Sequence, residues 1–139
     1  MQMDANGKGG LVHEALTSQI IGAAIEVHKE LGPGLLESTY ESCLCHEFLS
    51  RGISFQRQVE VPVLYKGQFV DCGYRIDILV GRVVAIELKS VQKLTPIDEA
   101  QLMTYLKLGR FPVGLLINFN TMRLVDGLVR RANTQPRSQ

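Results

Sequence analysis

Three charged residues stand where an apolar strand pair belongs. Asp77, Glu87 and Lys89 fall within "DILVGRVVAIELK", a stretch otherwise dominated by Val, Ile, Leu and Ala. Carboxylates and ammonium groups are seldom left in such a hairpin unless they are paired or hold a metal. Two converging carboxylates at the end of a strand pair make a hard-oxygen site for Mg²⁺ or Mn²⁺. The carbonyl of Leu88, between Glu87 and Lys89, is a natural further ligand. Lys89 would lie beside the ion, where an ammonium can orient or help deprotonate an attacking water, or neutralise a phosphate oxygen. It would also offset the repulsion between two buried acids. The plain alternative is a strand-end lysine paired with Glu87 on an exposed face.

Convergence depends on one connection. Alternation puts Glu87 and Lys89 on one face of their strand with Val83 and Ala85, and Val84, Ile86 and Leu88 on the other. A two-residue turn at Gly81 and Arg82 pairs Asp77 with Ile86 and sends the two acids to opposite faces. A three-residue loop, or one bulge, pairs Asp77 with Glu87 instead. The sequence leaves both open. On the next helix Gln101 and Tyr105 are spaced i, i+4 and share a face that can look down on the strand ends. There an amide and a phenol reach a phosphate or a metal-bound water. As simple structure, Tyr105 is core and Gln101 is solvated.

The elements that must position these groups are legible in the pattern. "TSQIIGAAIEVHKELG" reads as a helix capped by Thr17 or Ser18, with Ile20, Ala24, Val27 and Leu31 at helical spacing and a stop at Gly32 and Pro33. "LLESTYESCLCHEFLSRG" reads as a second helix, its apolar stripe running through Leu36, Tyr40, Leu44 and Phe48 to a close at Gly52. Glu37 flanks that stripe. An acid in a first helical turn is stabilised there by ~0.3–1 kcal/mol, so Glu37 by itself needs no chemistry to explain it. From Ser54 the period changes to two. Val59, Val61, Val63 and Tyr65 alternate with polar neighbours, Pro62 marks an edge or a bulge, and Lys66-Gly67 marks a turn. A strand through Asp77 and a third over "VVAIELKS" follow. "TPIDEAQLMTYLKLG" has Thr95 at N-cap, Pro96 at N1, Asp98 and Glu99 in its first turn, and Gly109 at its end. "FPVGLLINFN" suits a strand covered on both faces. "RLVDGLVRRAN" suits a last hairpin, or a strand and tail, turning at Asp126-Gly127. The order α, α, β, β, β, α, β predicts an α/β fold with a mixed sheet between helices.

Length and composition set the outer limits. The chain has 139 residues, 45% hydrophobic and 21% charged, enough for one core and one domain. The expected division is a flexible arm over residues 1–16, a single domain over 17–133 and a polar tail over 134–139. The net charge of +1 gives no global basic footprint. No run approaches the length of a membrane span. The polar, Gly-rich start is not a signal peptide. Three cysteines, Cys43, Cys45 and Cys72, read as free thiols of a cytoplasmic protein. The C-x-C-H of Cys43, Cys45 and His46 lacks the C-x₂-C spacing of structural zinc. No phosphate-binding glycine loop, serine elbow or H-E-x-x-H is present.

Taken together the motifs resemble the GxxExxY proteins of the PD-(D/E)XK nuclease superfamily. "GLLESTY" supplies Gly34, Glu37 and Tyr40; "RIDILV" and "AIELKS" resemble the D…E-x-K signature through Asp77, Glu87 and Lys89; "QLMTYL" resembles Q-x-x-x-Y through Gln101 and Tyr105. The resemblance spans about residues 20–133 and implies a core order α-β-β-β-α-β, with an extra N-terminal helix and a C-terminal strand or hairpin. Asp77, Glu87 and the Leu88 carbonyl would hold Mg²⁺ or Mn²⁺, with Glu37 completing the site directly or through water. Lys89 would serve the nucleophile, and Gln101 and Tyr105 would shape the pocket. Ile76 replaces the proline of the superfamily's name. The implied activity is metal-dependent phosphodiester hydrolysis, in DNA ahead of RNA. Lys93, Lys107, Arg110, Arg123, Arg130 and Arg131 are candidate phosphate contacts. A homodimer is compatible with so small a nuclease. The competing readings are a nucleic-acid binder that does not cut, and an interaction domain whose acids form only a buried ion network.

Overall fold

The structure, a computed structural model, describes residues 13–134. Residues 1–12 of the expected arm and 135–139 of the expected tail lie outside the described residues. Helix α1 (Glu14–Leu31) begins one turn earlier than its capping signals suggest. Thr17 is no cap: it is buried inside the helix, and its hydroxyl donates to the carbonyl of Glu14 at 3.0 Å. The extra turn brings Leu16 against the core and within 3.6 Å of where a side chain on Gly81 would begin. That burial outweighs the propensity of a hydroxyl residue to start a helix.

Helix α2 (Glu37–Ser50) buries Tyr40, Leu44 and Phe48 completely. Leu36, expected in the same stripe, is 73% exposed. It is the extended N-cap residue, so helical spacing does not reach it. The entry to α2 is set by two motif residues. Gly34 has φ +99°, where a side chain would be strained. The Tyr40 hydroxyl donates to the Gly32 carbonyl at 2.6 Å and accepts the Leu35 N–H at 3.2 Å, while its ring stacks on Phe119 at 4.4 Å.

Strands β1 (Phe55–Glu60), β4 (Arg75–Val80), β5 (Val84–Lys89), β6 (Val113–Asn118) and β7 (Leu128–Ala132) form one sheet in the order β1-β4-β5-β6-β7. Only β5 and β6 are parallel. They are joined by the crossover helix α3 (Pro96–Gly109), which starts with the expected Thr95–Asp98 capping box. Its last residue is Gly109, yet the left-handed residue that ends it is Arg110. Gly109 is needed for another reason, since a Cβ there would lie 2.2 Å from the Phe111 ring. Strand β6 is buried along its whole length, as its unbroken apolar run requires. A 3₁₀ turn over Leu124–Gly127 leads into β7, so the C-terminal extension is a strand and tail, not a hairpin of its own.

The long first strand expected from Val59 to Tyr65 is divided. It breaks at Val61 and Pro62, and β2 (Val63–Tyr65) pairs with β3 (Gln68–Val70) as a separate two-stranded ribbon. Pro62 has no N–H to continue the ladder, and the Lys66-Gly67 turn has positive φ at both residues, which suits a tight hairpin. Without the ribbon, α2-β1-β4-β5-α3-β6 is the expected core order. One core lies between the sheet and α1 with α2; a second lies between the sheet and α3.

Candidate active site

The connection between β4 and β5 decides whether the acids meet. It is a three-residue loop of Gly81, Arg82 and Val83, with φ +61° at Gly81 and +55° at Arg82. The register Val80↔Val84, Leu79↔Ala85, Ile78↔Ile86 carried one step further sets Asp77 against Glu87. Val83 belongs to this loop and packs toward the α1 side, not with Ala85 as simple alternation implies.

The strands part at this point. Instead of a further ladder bond, Asp77 Oδ2 accepts the Leu88 N–H at 2.8 Å. A second irregularity makes this geometry. Gln58, opposite Asp77 on β1, has φ +51°. On one side of it Phe55 and Ile78 pack with α1 and α2; on the other Val59 and Ile76 pack with α3. The alternation of both strands inverts across Gln58 and Asp77, and the Asp77 side chain turns along the sheet. In a strand the N–H and C=O of one residue point the same way. The Lys89 carbonyl is taken by the Phe119 N–H on the β6 side, so the neighbouring Leu88 carbonyl points, with its N–H, into the gap beside Asp77.

The electrostatics are unusual. Glu87 is 9% exposed, and its Oε2 has no hydrogen-bond partner among the described residues. Burial, then the charge of Asp77, pushes the Glu87 carboxyl up to about 9, with Lys89 opposing. Burial also raises Asp77, against the Leu88 N–H and the hydrogen bonds from Gln58 and Glu87 that favour its charged form. At neutral pH Glu87 therefore keeps its proton and donates it toward Asp77. Tyr105 is raised by burial and then by Glu87, Tyr74 and Asp77, which places its phenol in the field of both acids.

The other expected residues divide. Lys89 lies on the Glu87 strand face and is 3.8 Å from Asp98 of the α3 capping box. Glu37 is exposed and accepts the Ser90 N–H at 3.3 Å. It contacts the chain just past Lys89 and makes no hydrogen bond to the acid pair. Gln101 is exposed on α3, one turn before Tyr105. Of the basic residues, Arg131 pairs with Glu99 and Arg130 is half-buried, whereas Lys93, Lys107, Arg110 and Arg123 are exposed. Among the described residues no group of three or more His, Cys, Asp or Glu is placed to hold a metal ion, so Glu37 does not join Asp77 and Glu87 in one cluster, and Cys43, Cys45 and His46 form none. Burial pushes the Cys45 thiol up to about 11, away from the thiolate a metal needs.

Three residues of the site were not singled out by spacing. Glu41, one turn after Glu37, is buried and accepts Arg57 Nε and Gln58 Nε2, each at 3.0 Å. Gln58 also reaches Asp77 Oδ1 at 3.4 Å, so it links the α2 acid to the acid pair. Glu41 follows Glu37 at i+4 and sits beside Tyr40, the one signal that it shares the buried side of α2. Asn118 ends β6 and clasps the loop after Lys89 by accepting the Val91 N–H at 3.1 Å and donating to the Val91 carbonyl at 2.9 Å. An Asn closing an apolar run was its only mark. An open cleft of about 500 Å³, lined by Gly34, Leu35, Leu36, Thr39, Ser90 and Asn120, borders the Glu37–Ser90 contact but contains neither acid of the pair.

A forked mixed sheet with two acids and a lysine at the fork defines a class. The family model of the PD-(D/E)XK nuclease superfamily matches residues 14–132, and the chain belongs to that superfamily. No curated protein and no solved structure matches it. Among the described residues no helix is long and apolar enough to cross a membrane.

Proposed function

We propose that the chain is a Mg²⁺- or Mn²⁺-dependent nuclease of the GxxExxY group, hydrolysing phosphodiester bonds in DNA ahead of RNA. One observation carries the reading: Glu87 Oε2 is buried and unpartnered, in a carboxyl pushed up to about 9 beside a second acid. A network built for structure alone would also satisfy that oxygen, because a buried polar atom left unpaired costs about 1–3 kcal/mol. A divalent cation would satisfy the orphaned oxygen and favour the charged form of both carboxyls. The donors suit Mg²⁺, which is commonly held by one or two carboxylates and fills its remaining positions with water and substrate phosphates. Asp77, Glu87 and the Leu88 carbonyl are the protein's share, with Glu37 supporting from Ser90. When bound, the ion supplies Lewis-acid polarisation of a phosphoryl oxygen.

The chain's own groups do the rest. To hold a cation Glu87 would have to release its proton to solvent, which would leave two carboxylates facing the gap. Lys89, steadied by Asp98, offers its ammonium to a phosphate oxygen or to the attacking water. Tyr105 and Gln101 line the approach from α3. Three free thiols suit a reducing compartment, and we place the protein in the cytoplasm.

The test is cleavage of labelled DNA and RNA by wild type, Asp77→Ala, Glu87→Gln and Lys89→Ala, in Mg²⁺, in Mn²⁺ and in chelator. Cleavage is expected only with metal, absent in both acid variants and reduced about a hundredfold or more in Lys89→Ala. Undiminished cleavage by Glu87→Gln would overturn the proposal.

A further inference from the structure

Gln58 is exposed, so no burial of its side chain offsets the strain of a backbone at φ +51°. Its hydrogen bonds show what the turn achieves. In a regular strand Arg57 and Gln58 would point to opposite faces. Here both donate to one carboxylate, that of Glu41 on α2. Arg57 Nε reaches Oε2 at 3.0 Å, and Gln58 Nε2 reaches Oε1 at 3.0 Å and Oε2 at 3.2 Å. The left-handed residue is what brings two successive side chains to the same acceptor.

The same amide nitrogen also reaches Asp77 Oδ1, at 3.4 Å. An amide has two N–H donors, and Gln58 spends one toward Glu41 and the other toward Asp77. The reverse orientation would set its carbonyl oxygen against both carboxylates. Asp77 is thereby held at both oxygens, Oδ1 from the β1 side by Gln58 and Oδ2 from the β5 side by the Leu88 N–H at 2.8 Å. Both donors are neutral. The cations nearby are spent elsewhere, Arg57 on Glu41 and Lys89 on Asp98. Asp77 is therefore oriented without an ion pair, which leaves its charge for a cation. Glu37, the acid offered by the motif on the same helix, lies one turn before Glu41 and is taken up by the Ser90 N–H. Helix α2 thus reaches Asp77 through Glu41, buried and with both oxygens used, and not through Glu37.

We propose that Gln58 is a positioning residue for Asp77, that Glu41 and Arg57 fix its amide, and that this relay is the connection from α2 to the metal-holding pair. The proposal rests on the nuclease reading and adds to it the residues that pre-orient one ligand. Hydrogen bonds behind a ligand raise metal affinity by fixing the ligand before the ion arrives. If Gln58 served structure alone, only its backbone turn would matter, and glycine would replace it without loss.

The experiment measures Mn²⁺ affinity of the full chain by titration calorimetry, with thermal unfolding of each protein and, in chelator, hydrogen exchange at the Leu88 amide. The proteins are wild type, Gln58→Met, Gln58→Gly, Glu41→Gln and the double variant of Gln58→Met with Glu41→Gln. Methionine keeps the length of the side chain and removes its donor. Glycine suits the left-handed turn, so it carries the test if the methionine variant does not fold. Both should bind Mn²⁺ about 10- to 100-fold more weakly. In both, the Leu88 amide should exchange about 2- to 12-fold faster, as expected when the carboxylate that accepts it loses its other anchor. Glu41→Gln should change both readouts in the same direction, and the double variant should behave as Gln58→Met alone, because Glu41 acts through Gln58. Wild-type affinity in Gln58→Gly or Gln58→Met, or effects of Glu41 and Gln58 that simply add, would overturn the relay. The two proposals fail separately. A wild type with no affinity for Mn²⁺ whose Leu88 amide still responds to Gln58 refutes the metal site and keeps the positioning of Asp77; Mn²⁺ binding and Leu88 exchange that are both indifferent to Gln58 do the reverse.

Discussion

Replacing Glu87 by Gln should make the metal-free protein more stable, and increasingly so as pH rises. The folded carboxyl is pushed from 4.5 to about 9 by burial and by Asp77. Between those two values the folded state holds a proton that the unfolded chain has lost. Stability on this account is full below pH 4.5, falls through the window and is lost above 9. The slope is at most about 1.4 kcal/mol per pH unit. From about pH 5.5 to about pH 7.5 the wild type thus loses up to ~2.7 kcal/mol that the amide variant keeps, a large part of the ~5–15 kcal/mol of an ordinary domain. The assay is urea denaturation of both proteins across that range in chelator; other titrating groups cancel in the difference. Added Mn²⁺ should then reverse the order, since a ligand at 100 times its Kd stabilises by ~2.7 kcal/mol and the variant lacks the second carboxylate. Parallel pH profiles in chelator would show that Glu87 is already ionised and paired, and the orphaned-acid argument would fall with it.

Tyr40→Phe should cost about 0.5–1.5 kcal/mol in urea denaturation, because it removes the hydroxyl that joins Gly32 and Leu35 and leaves the Phe119 stacking in place. It should also lower cleavage, since that turn sets the entry of the helix carrying Glu37. Gly114→Ala should cost about 1–3 kcal/mol by overpacking: the new methyl would meet Leu102 Cδ1 at 2.9 Å and Leu106 Cδ2 at 3.0 Å, pressing α3 and its Tyr105 away from the sheet, as a fall in the denaturation midpoint would report. Gln58→Ala should leave the fold intact and shift the pH–rate profile for cleavage, because Asp77 and Glu41 lose their common donor.

What was legible in the sequence was local. Thr95, Pro96 and Asp98 cap α3 through atoms within four residues of one another, and Tyr40 closes the turn before α2 on Gly32 and Leu35, eight and five residues earlier. What was not legible rested on distant partners. Thr17 carries a capping signal that the burial of Leu16 overrides. Leu36 has the right type and spacing for the core but lies just outside the helix that would turn it inward. Glu41 is a surface-type residue until Arg57 and Gln58 of β1 bring its partners. The loop at residues 81–83 was ambiguous for a sharper reason: its second left-handed residue is Arg82, not the Gly, Asn or Asp that announces such a conformation.

Two backbone irregularities, at Gln58 and Arg82, shape the site of the proposed chemistry. Gln58 and Arg82 both occupy the left-handed region, which costs a non-glycine residue about 1–2 kcal/mol. Each is necessary to the acid pair. Without the Arg82 conformation the loop would favour two residues, and Asp77 would face away from Glu87. Without the Gln58 inversion Asp77 would keep its alternation and leave the Leu88 N–H and carbonyl to the ladder. A sheet selected for stability alone would remove both irregularities, and with them the burial of a carboxyl oxygen that has no partner among the described residues. That strained Gln58 stands opposite Asp77 and donates to it at 3.4 Å, beside a second carboxyl that burial raises to about 9, is the strongest structural reason to treat this fork as the candidate site.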